Sequence, residues 1–559
     1  MRPDLMEQKA LVVSLNQWAT FDDALKRPLE EVFLLPYLRR SRWFRDKSRC
    51  IRELVVIDRI PCRASSGEGR DSAWLLVVRV ICTDGHEPVY FLPLGLALGE
   101  EAARIKKDYP PGVVASVECE GEQGICFEGL CSRGVQHLLL QTLLSGTVVR
   151  GAAGAIEGLP AGMARREIAG LSRGTAQLLR GEQSNSALLY QDRTFLKVYR
   201  ALESGENPEV EILRCLATAD ESCPVPRYLG SLGYRFPGGE KAALALLMAH
   251  VPNKGDGWEY VTEESRHFFN HLLQRISPEA PGVDDPVRAR AGNYVATPGT
   301  RGRDFLEKVS LLAHRTASLH RALLRGSEGS SVDSFRPEPF TSDDHQWLVS
   351  SLHVLIRHVA SGVRQRLADF PEAAMPLAED FIAREEYIHC LLADAIVPGA
   401  EIRKIRLHGD YHLGQVLFTG DDFILTDFEG EPARPLGERR KKGPALRDVA
   451  GMLRSFHYAV SVTCHEISST APGGRALPPS LREWWYRQTR EVFLKTYQED
   501  IRGLWLVPGE RADFQALLRL CLLEKVVYEI GYELDNRPEW IWIPLEGIRF
   551  LLDQQDELP

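Results

Sequence analysis

Two carboxylates and a carboxamide near residue 410 have the types and spacing needed for phosphoryl transfer. Asp410 and Gln415 belong to the run His408-Gly-Asp-Tyr-His-Leu-Gly-Gln415, and Asp427-Phe-Glu429 follows shortly after it. Phosphoryl transfer needs positioning, a divalent ion and a group that accepts the proton of the acceptor hydroxyl, but little covalent help. We predict that Asp410 is this base. Gln415 and Asp427 offer hard oxygen ligands, which suit Mg²⁺.

A predicted hairpin should hold the two metal ligands together. The apolar runs 415–418 and 423–426 flank the turn signal Gly420-Asp421-Asp422. Such a pattern indicates two short antiparallel strands. It would place Gln415 near Asp427.

A lysine in an apolar strand indicates a contact with nucleotide phosphates. Lys197 lies in the run Thr194–Tyr199, where a charge needs a partner to be stable. Phosphate oxygens and a helix carboxylate would both serve. Glu209, in the first turn of the next predicted helix, is the preferred ion-pair partner, and Glu211 is the alternative.

A polar turn and a strand end complete the predicted ATP site. Small polar residues in a turn can offer backbone N–H groups and hydroxyls to phosphates. The turn residues assigned to ATP are Gln183, Ser184, Asn185 and Ser186, and those at the strand end are Met248, His250 and Val251.

Charged and aromatic residues near the C-terminus indicate a sugar-binding helix. Glu524, Tyr528 and Tyr532 recur every four residues, and Lys525 and Glu529 lie close to the same stripe. Proteins hold sugars with charged side chains that hydrogen-bond to the hydroxyls and with aromatic faces that stack on the ring. The same pattern also fits a helix with a salt-bridged outer face and core tyrosines, so both interpretations stay open.

Two further charged features have two interpretations each. Asp448 lies at a predicted helix start, where the helix dipole stabilises its negative charge. It either has this role alone or also braces the catalytic loop. The basic run 439–442 is either a solvated loop or a contact for phosphate or a partner.

Bulk properties limit the functional classes. The 559 residues allow two to four compact units, and a formal charge of −9 argues against nucleic-acid binding. No apolar stretch approaches the length of a membrane span, and no signal peptide begins the chain. The cysteines lack paired metal-site spacing. We therefore expect a cytoplasmic protein without nucleic-acid or membrane partners.

The coarse pattern predicts three domains: an N-terminal cap domain over 1–150, an ATP-binding sheet lobe over 151–252 and a helical catalytic and sugar-binding lobe over 253–559. Turn residues separate β-branched runs at 51–60 and 73–94, which indicates an antiparallel sheet. The Gly-rich stretch 151–162 is typical of a linker. The segment 278–303 is expected to be a surface insertion.

Together these motifs resemble the bacterial maltokinases, including the maltokinase module of trehalose synthase fusions. The resemblance spans about residues 40–550 and includes the Arg42-Trp-Phe motif and the ending Glu524-Lys…Asn536-Arg537-Pro538. It implies an α+β, bilobal, protein-kinase-like fold of the aminoglycoside phosphotransferase type, with a sheet-rich N-terminal cap. It also implies ATP and Mg²⁺ as cofactors, and maltose 1-phosphate as a product for α-glucan synthesis.

The resemblance also assigns residue roles. Lys197 would contact the α- and β-phosphates, and a trehalose synthase is a possible partner. The residues that it places near the sugar are His408, Lys525, Tyr528, Tyr532 and Arg537.

Two other functions compete with a maltokinase. Glucosamine kinases share much of the pattern, and aminoglycoside and choline kinases share the catalytic loop. An acidic cluster placed to neutralise an amine would favour glucosamine. A non-catalytic regulatory module of glucan enzymes is the second alternative, but Lys197, Asp410 and Asp427 are all present.

Overall fold

The computed structural model describes residues 10–62, 73–162, 176–179, 184–219, 223–273, 291–326, 333–394, 401–470 and 477–553. The chain divides into two compact units. The first comprises Met1–Arg214 and Pro226–His250, and the second comprises Cys215–Val225 and Val251–Pro559. Gln183 and much of the predicted insertion 278–303 lie outside the described residues.

A six-stranded sheet opens the first unit. Its strands are β1 Leu11–Val12, β2 Ile51–Cys62, β3 Ala73–Cys82, β4 Val89–Leu98, β5 Val113–Cys119 and β6 Glu122–Glu128. They are arranged in the order β1-β5-β6-β4-β3-β2, and only the β1–β5 pair is parallel. The helices of this region are α1 Leu15–Thr20, α2 Asp23–Pro28, α3 Leu34–Arg40, α4 Gly99–Asp108 and α5 Arg133–Ser145.

A second, seven-stranded sheet follows in the same unit. Its strands are β7 Val148–Arg150, β8 Ala155–Pro160, β9 Ala176–Leu179, β10 Ser186–Tyr190, β11 Thr194–Val198, β12 Tyr228–Arg235 and β13 Lys241–Ala249. Their order is β7-β8-β12-β13-β11-β10-β9. Helix α6 Pro208–Ala219 lies between β11 and β12 along the chain.

The two sheets share one hydrophobic core. Alternate residues of β3 face opposite sides, since successive side chains of a strand point to opposite faces. Leu76 and Val78 join a core formed within the first sheet, whereas Leu75 and Val77 join a core that also contains Leu196 of the second sheet. Burial on both faces explains why β3 is apolar almost throughout. The predicted boundary at residue 150 stays a prediction, although residues on either side of it share this core.

The expected linker at 151–162 is wrong for residues 155–160, which form β8. The glycines of this stretch allow close packing rather than flexibility. A Cβ at Gly158 would lie 1.9 Å from the carbonyl oxygen of Thr142 in α5, so only glycine lets the helix approach the strand.

The second unit is mostly helical. Its helices are α7 Gly257–Leu273, α8 Arg301–Arg325, α9 Ser342–Arg366, α10 Met375–Ala383, α11 Glu385–Asp394, α12 Leu436–Arg439, α13 Leu446–Thr470, α14 Pro479–Asp500, α15 Arg511–Asn536 and α16 Trp542–Asp553. Two small antiparallel pairs are present: β14 Glu338–Pro339 with β15 Arg403–Lys404, and β16 Val416–Phe418 with β17 Phe423–Leu425. Within the described ranges, every helix falls short of the length and apolarity needed to span a membrane.

Candidate active site

Asp410 lies on a loop of the second unit that is held by hydrogen bonds on both sides. The backbone N–H of Asp410 donates to His408 Nδ1 over 3.4 Å, and His408 Nε2 bonds the carbonyl oxygen of Thr426 over 2.9 Å. His408 is buried, whereas the Asp410 carboxylate retains 21% exposure. His408 therefore connects the loop that carries Asp410 to the end of the β16–β17 hairpin, while the Asp410 carboxylate stays accessible to solvent.

Asp448 braces the same loop from the first turn of α13. Its carboxylate accepts hydrogen bonds from the N–H groups of His408 (2.8 Å) and Gly409 (3.0 Å), and it lies 3.2 Å from His320 Nε2. Burial opposes ionisation, but His320 and His408 hold the pKa of Asp448 below its usual value. Of the two interpretations left open for Asp448, the structure supports the brace.

The hairpin β16–β17 carries the predicted metal ligands. Val416 pairs with Leu425, and the Thr426 N–H donates to the Gln415 carbonyl oxygen over 2.9 Å. Gln415 and Asp427 thus lie at the same open end of the hairpin, as the turn signal predicts. Asp427 has a φ of +64°, a left-handed conformation that costs energy for a residue with a side chain.

The donor set at this hairpin fits Mg²⁺. Among the described residues, none forms a hydrogen bond with the Gln415 side chain. Carboxylate oxygens of Asp427 and Glu429 lie within 4.8 Å of each other. Amide and carboxylate oxygens are the hard ligands that Mg²⁺ prefers. The role of Gln415 and Asp427 as metal ligands remains a prediction.

Asp410 lines a cleft of about 570 Å³ in the second unit. Its walls come from the start of α7, the catalytic loop, α13 and α15. Lysine, tyrosine and glutamate side chains of α15 form one side, where Lys525 Nζ lies 3.4 Å from Asp410 Oδ1. A cleft of this size is typical of small-molecule sites.

Lys525 connects Asp410 to a buried glutamate. Its Nζ lies 2.8 Å from Glu431 Oε1, and Arg434 contacts the other oxygen of Glu431. Burial alone would raise the pKa of Glu431, but Lys525 and Arg434 outweigh it and lower this pKa to about 2. Burial would likewise lower the pKa of Lys525, yet Glu431 and Asp410 raise it above its ordinary value. Lys525 is therefore a permanent cation beside the predicted base.

Aromatic rings form a second wall of the cleft. Tyr528 and Tyr532 stack with centroids 6.4 Å apart and planes inclined by 25°. The Arg537 guanidinium lies 5.6 Å from the Tyr532 ring and 5.0 Å from the Trp540 ring. Trp258 of α7 lines the cleft as well. Flat apolar faces beside charged groups can hold a sugar ring and its hydroxyls.

Glutamates of α15 supply negative charge to the cleft. Glu529 Oε2 accepts a hydrogen bond from Arg454 Nε over 2.8 Å and lies 2.7 Å from Arg454 Nη2, while its Oε1 forms no hydrogen bond with any described residue. Both oxygens of Glu533 accept hydrogen bonds, Oε2 from Arg537 and Oε1 from Arg537 and Tyr458. Burial raises the pKa of both glutamates. Glu529 is thus the carboxylate with a spare oxygen.

Two residues predicted to bind sugar, His408 and Glu524, do not line this cleft, and their role in binding sugar stays a prediction. Both nitrogens of the buried His408 are engaged by backbone groups of the loop and the hairpin. Glu524 pairs with Arg447 over 2.5 Å and with Arg434 over 3.5 Å, and it lines a smaller cavity of about 70 Å³ that shares Lys525 and Tyr528 with the cleft. The other four predicted sugar residues line the cleft: Lys525, Tyr528, Tyr532 and Arg537.

In the first unit, the predicted ion pair of Lys197 with Glu209 is confirmed. Lys197 Nζ lies 2.7 Å from Glu209 Oε2, and the Tyr199 hydroxyl donates to the same oxygen over 2.8 Å. Both partners are buried. Glu211 is buried nearby in α6 but is not the carboxylate at this distance.

The other residues predicted to bind ATP occupy several positions. Ser184 and Asn185 lie in the bend before β10, and Ser186, the first residue of that strand, accepts a hydrogen bond from Arg200 Nε over 2.8 Å. Met248 is buried on β13, where it pairs with Phe195.

The residues predicted to bind ATP after strand β13 belong to two different units. His250 Nδ1 lies 3.2 Å from the carbonyl oxygen of Asp192 in the first unit, whereas Val251 begins the second unit's long segment. The roles of all these residues in binding ATP remain predictions.

Several residues of the site escaped the sequence analysis. They are His320, Glu431, Arg434, Arg454 and Tyr458. Glu431 carried a usable signal, because it is the second glutamate of the Glu429-Gly-Glu431 run directly after the metal-ligand motif. His320 and Arg454 lie on long helices among apolar residues, where only the packed structure identifies their partners.

No family model matches this chain. The curated proteins that are similar to it include two named glucosamine kinase. The one from Mycolicibacterium smegmatis is 24% identical over 387 residues, which cover 68% of this chain and 82% of that protein. The one from Streptacidiphilus jiangxiensis is 24% identical over 378 residues, covering 67% and 73% respectively.

Two solved structures are similar to this chain in fold over most of their length. A glucosamine kinase in complex with glucosamine, ADP and inorganic phosphate has a TM-score of 0.56 at 19% identity, covering 91% of this chain and 96% of that one. Another crystal form of a glucosamine kinase gives 0.55 at 20% identity, with 90% and 92% covered. This likeness confirms the predicted α+β, protein-kinase-like fold with its sheet-rich N-terminal region.

Proposed function

We propose that this protein is an ATP-dependent kinase of small sugars, with glucosamine as the first candidate acceptor. The observation that carries the proposal is the cleft in which Asp410 faces Lys525 and the stacked Tyr528 and Tyr532. It combines a base, a fixed cation and flat aromatic faces in one space of small-molecule size. The similarity to proteins named glucosamine kinase supports the same class.

The chemistry follows from the side chains. The Asp410 carboxylate would take the proton of the acceptor hydroxyl while that oxygen attacks the γ-phosphorus of ATP and the bond to ADP breaks. Lys525 would hold the base and a neighbouring hydroxyl in place. Gln415 and Asp427 would hold Mg²⁺, which neutralises phosphate charge when bound. Lys197, anchored by Glu209, would pair with nucleotide phosphates.

Charge in the cleft favours an amino sugar. Four acidic side chains line it, Asp256, Asp410, Glu529 and Glu533, against the basic Lys525 and Arg537. Arg454 offsets one of the acids by pairing with Glu529. The remaining excess is negative, and the spare Oε1 of Glu529 could accept a hydrogen bond from an ammonium group. This acidic excess supports glucosamine over a neutral sugar.

Maltose is the second candidate, favoured by the extent of the aromatic wall. Trp258, Tyr528, Tyr532 and Trp540 all line the cleft, and together they offer more stacking surface than one sugar ring requires. The product would then be maltose 1-phosphate for α-glucan synthesis. Association with a trehalose synthase would follow only for this candidate.

A substrate panel tests the proposal. Magnesium-dependent release of ADP should be measured with glucosamine, glucose, maltose and trehalose, and the phosphorylated position should be assigned by NMR. We expect the highest kcat/KM with glucosamine. Turnover of maltose alone would transfer the proposal to the second candidate. Tight ATP binding without turnover of any sugar would contradict a kinase and favour a regulatory module.

Glu529→Gln separates the two acceptors. The change removes the charge but keeps the shape, so we expect the KM for glucosamine to rise roughly tenfold or more, because a hydrogen bond to a charged group contributes about 1.5–3 kcal/mol. The KM for glucose should change much less. Glu483→Gln, on an outer part of α14 and away from this cleft, is the control. Equal effects on both sugars would exclude Glu529 as the amine contact.

A further inference from the structure

A basic groove lies in the second unit, separate from the cleft of Asp410. Its volume is about 560 Å³, within the range of small-molecule sites. Seven of its twelve lining residues are lysine or arginine and three are acidic, an excess of four positive charges. The whole chain carries a formal charge of −9, so the positive charge of the groove is opposite in sign to the net charge of the protein.

Two of the three acidic residues of the groove are paired with lysines. Lys404 Nζ lies 2.6 Å from Asp344 Oδ1, and Lys442 Nζ lies 2.5 Å from Glu338 Oε1. Lys441, in contrast, forms no ion pair with a described residue and is exposed. The positive charge of Lys441 is therefore available to an anion from solution.

An exposed tryptophan gives the groove an apolar face. Trp347 of α9 retains 48% exposure, and Lys441 Nζ lies 5.1 Å from the centre of its ring. A tryptophan face can stack on a sugar ring, while neighbouring cations bind a phosphate. Free phosphate would use only the cations. The pairing of both features favours a ligand that has a ring and a phosphate.

The groove is also linked to the candidate active site by ion pairs. Arg434 and Arg447 line both the groove and the small inner cavity. Arg434 contacts Glu431, Glu431 pairs with Lys525, and Lys525 lies beside Asp410. An anion that pairs with Arg434 would weaken the ion pair between Arg434 and Glu431. Binding in the groove would thereby alter the surroundings of the base without entering the cleft.

We propose that the groove around Trp347 and Lys441 is a second binding site, which takes a phosphorylated sugar. The basic run 439–442, one of whose two interpretations is a phosphate contact, then has a function distinct from the transfer reaction. The proposal does not depend on which sugar the cleft accepts.

Calorimetric titration of the full chain with glucose 6-phosphate tests this site. Trp347→Ala/Lys441→Ala should weaken binding at least tenfold, and Trp347→Phe should retain most of it because an aromatic face remains. Lys495→Ala, an exposed lysine of α14 outside the groove, is the matched control and should bind like the wild type. Both groove residues are solvent-exposed, and equal unfolding temperatures will verify that the variants fold.

Further ligands identify what the groove recognises. Inorganic phosphate should bind more weakly than glucose 6-phosphate, and higher salt should weaken both. Unchanged affinity for glucose 6-phosphate in the double variant would overturn the proposal, since the ligand would then bind elsewhere. Equal affinity for inorganic phosphate and the sugar phosphate would overturn the role of Trp347.

Kinetics with an active acceptor provide a second test. Glucose 6-phosphate should lower kcat of the wild type without raising the sugar KM, and the double variant should lose this effect. Inhibition that only raises the sugar KM would place the ligand in the cleft and contradict the link. A lack of turnover would count against the proposed kinase activity, whereas the titration would still decide the groove.

Discussion

Lys525 Nζ lies 3.4 Å from Asp410 Oδ1, although the two residues are 115 positions apart in the chain. Helix α15 brings the lysine to the catalytic loop, and Glu431 holds it there from the other side. The predicted base thus has a fixed cation beside it. This arrangement links the phosphoryl-transfer motif to the helix that was predicted to bind the sugar.

Asp410→Ala should lower kcat on the order of 10²–10⁴-fold, the usual effect of losing a general base, and should leave the fold intact. The partly exposed carboxylate contributes little to packing. ADP release under saturating substrates measures the effect, with Asp369→Ala as an exposed aspartate control. Near-normal turnover would remove Asp410 from the mechanism.

Asp448→Asn should reduce kcat with little change in either KM. The amide keeps only one acceptor oxygen, so one of the N–H groups of His408 and Gly409 loses its partner. A buried unsatisfied group costs about 1–3 kcal/mol, which corresponds to roughly 5- to 150-fold. Asp343→Asn, an exposed aspartate in the first turn of α9, should have no effect. A rise in sugar KM alone would argue against a positioning role.

Glu209→Ala should lower the free energy of unfolding by roughly 3–5 kcal/mol, because it removes the carboxylate that lies 2.7 Å from the buried Lys197 ammonium. The KM for ATP should rise as well. Urea unfolding and ATP titration measure these effects. Glu206→Ala breaks an exposed pair with Arg214 and should cost at most about 1 kcal/mol. Similar losses in both variants would be inconsistent with the burial of the Lys197 pair.

Acid should weaken the structure through Glu431. Its folded pKa of about 2 lies below the ordinary value of 4.5, so its stabilisation is present above pH 4.5 and is lost as the pH falls toward 2. The full effect is about 3 kcal/mol, of which about 1 kcal/mol is lost by pH 4. The difference in unfolding free energy between pH 7 and pH 4 should therefore be about 1 kcal/mol smaller in Glu431→Gln. Glu372→Gln, at an exposed site, should show the same pH 7 to pH 4 difference as the wild type. An unchanged difference in Glu431→Gln would contradict the pairing of Glu431 with Lys525 and Arg434.

Tyr532→Ala should raise the sugar KM roughly 2- to 12-fold, since an aromatic contact contributes about 0.5–1.5 kcal/mol. The KM for ATP should stay nearly constant. Tyr387→Ala is a matched control, because Tyr387 is 42% exposed and Tyr532 is 44% exposed. A larger change in the ATP KM would separate this helix from the sugar.

Local motifs predicted the parts of the site that are close together in the chain. Gln415 and Asp427 are joined by one hairpin, and Lys197 and Glu209 are twelve residues apart. Short connections leave few alternative arrangements, so turn residues and apolar runs were sufficient. The same holds for the kinase-like fold class, which rests on the order of sheet-rich and helical regions.

Helical geometry separates Glu524 from the residues that line the cleft. At 3.6 residues per turn, each step of four residues overshoots by roughly 40°, so Glu524 and Tyr532 differ by roughly 80° around α15. Tyr532 faces the cleft, and Glu524 turns to Arg447 and the inner cavity. A stripe that looks continuous in sequence therefore divides between two sites.

Residue types and spacing were enough to predict phosphoryl-transfer chemistry, because the groups on which that prediction rests lie on short connected segments. The choice of partner for each buried charge came from packing: Glu431 with Lys525 and Glu529 with Arg454 are separated by 94 and 75 positions. Nothing local distinguishes one glutamate from another at such separations. Their pairing depends on which helices pack together, and a buried charge must take the partner that this packing brings within reach.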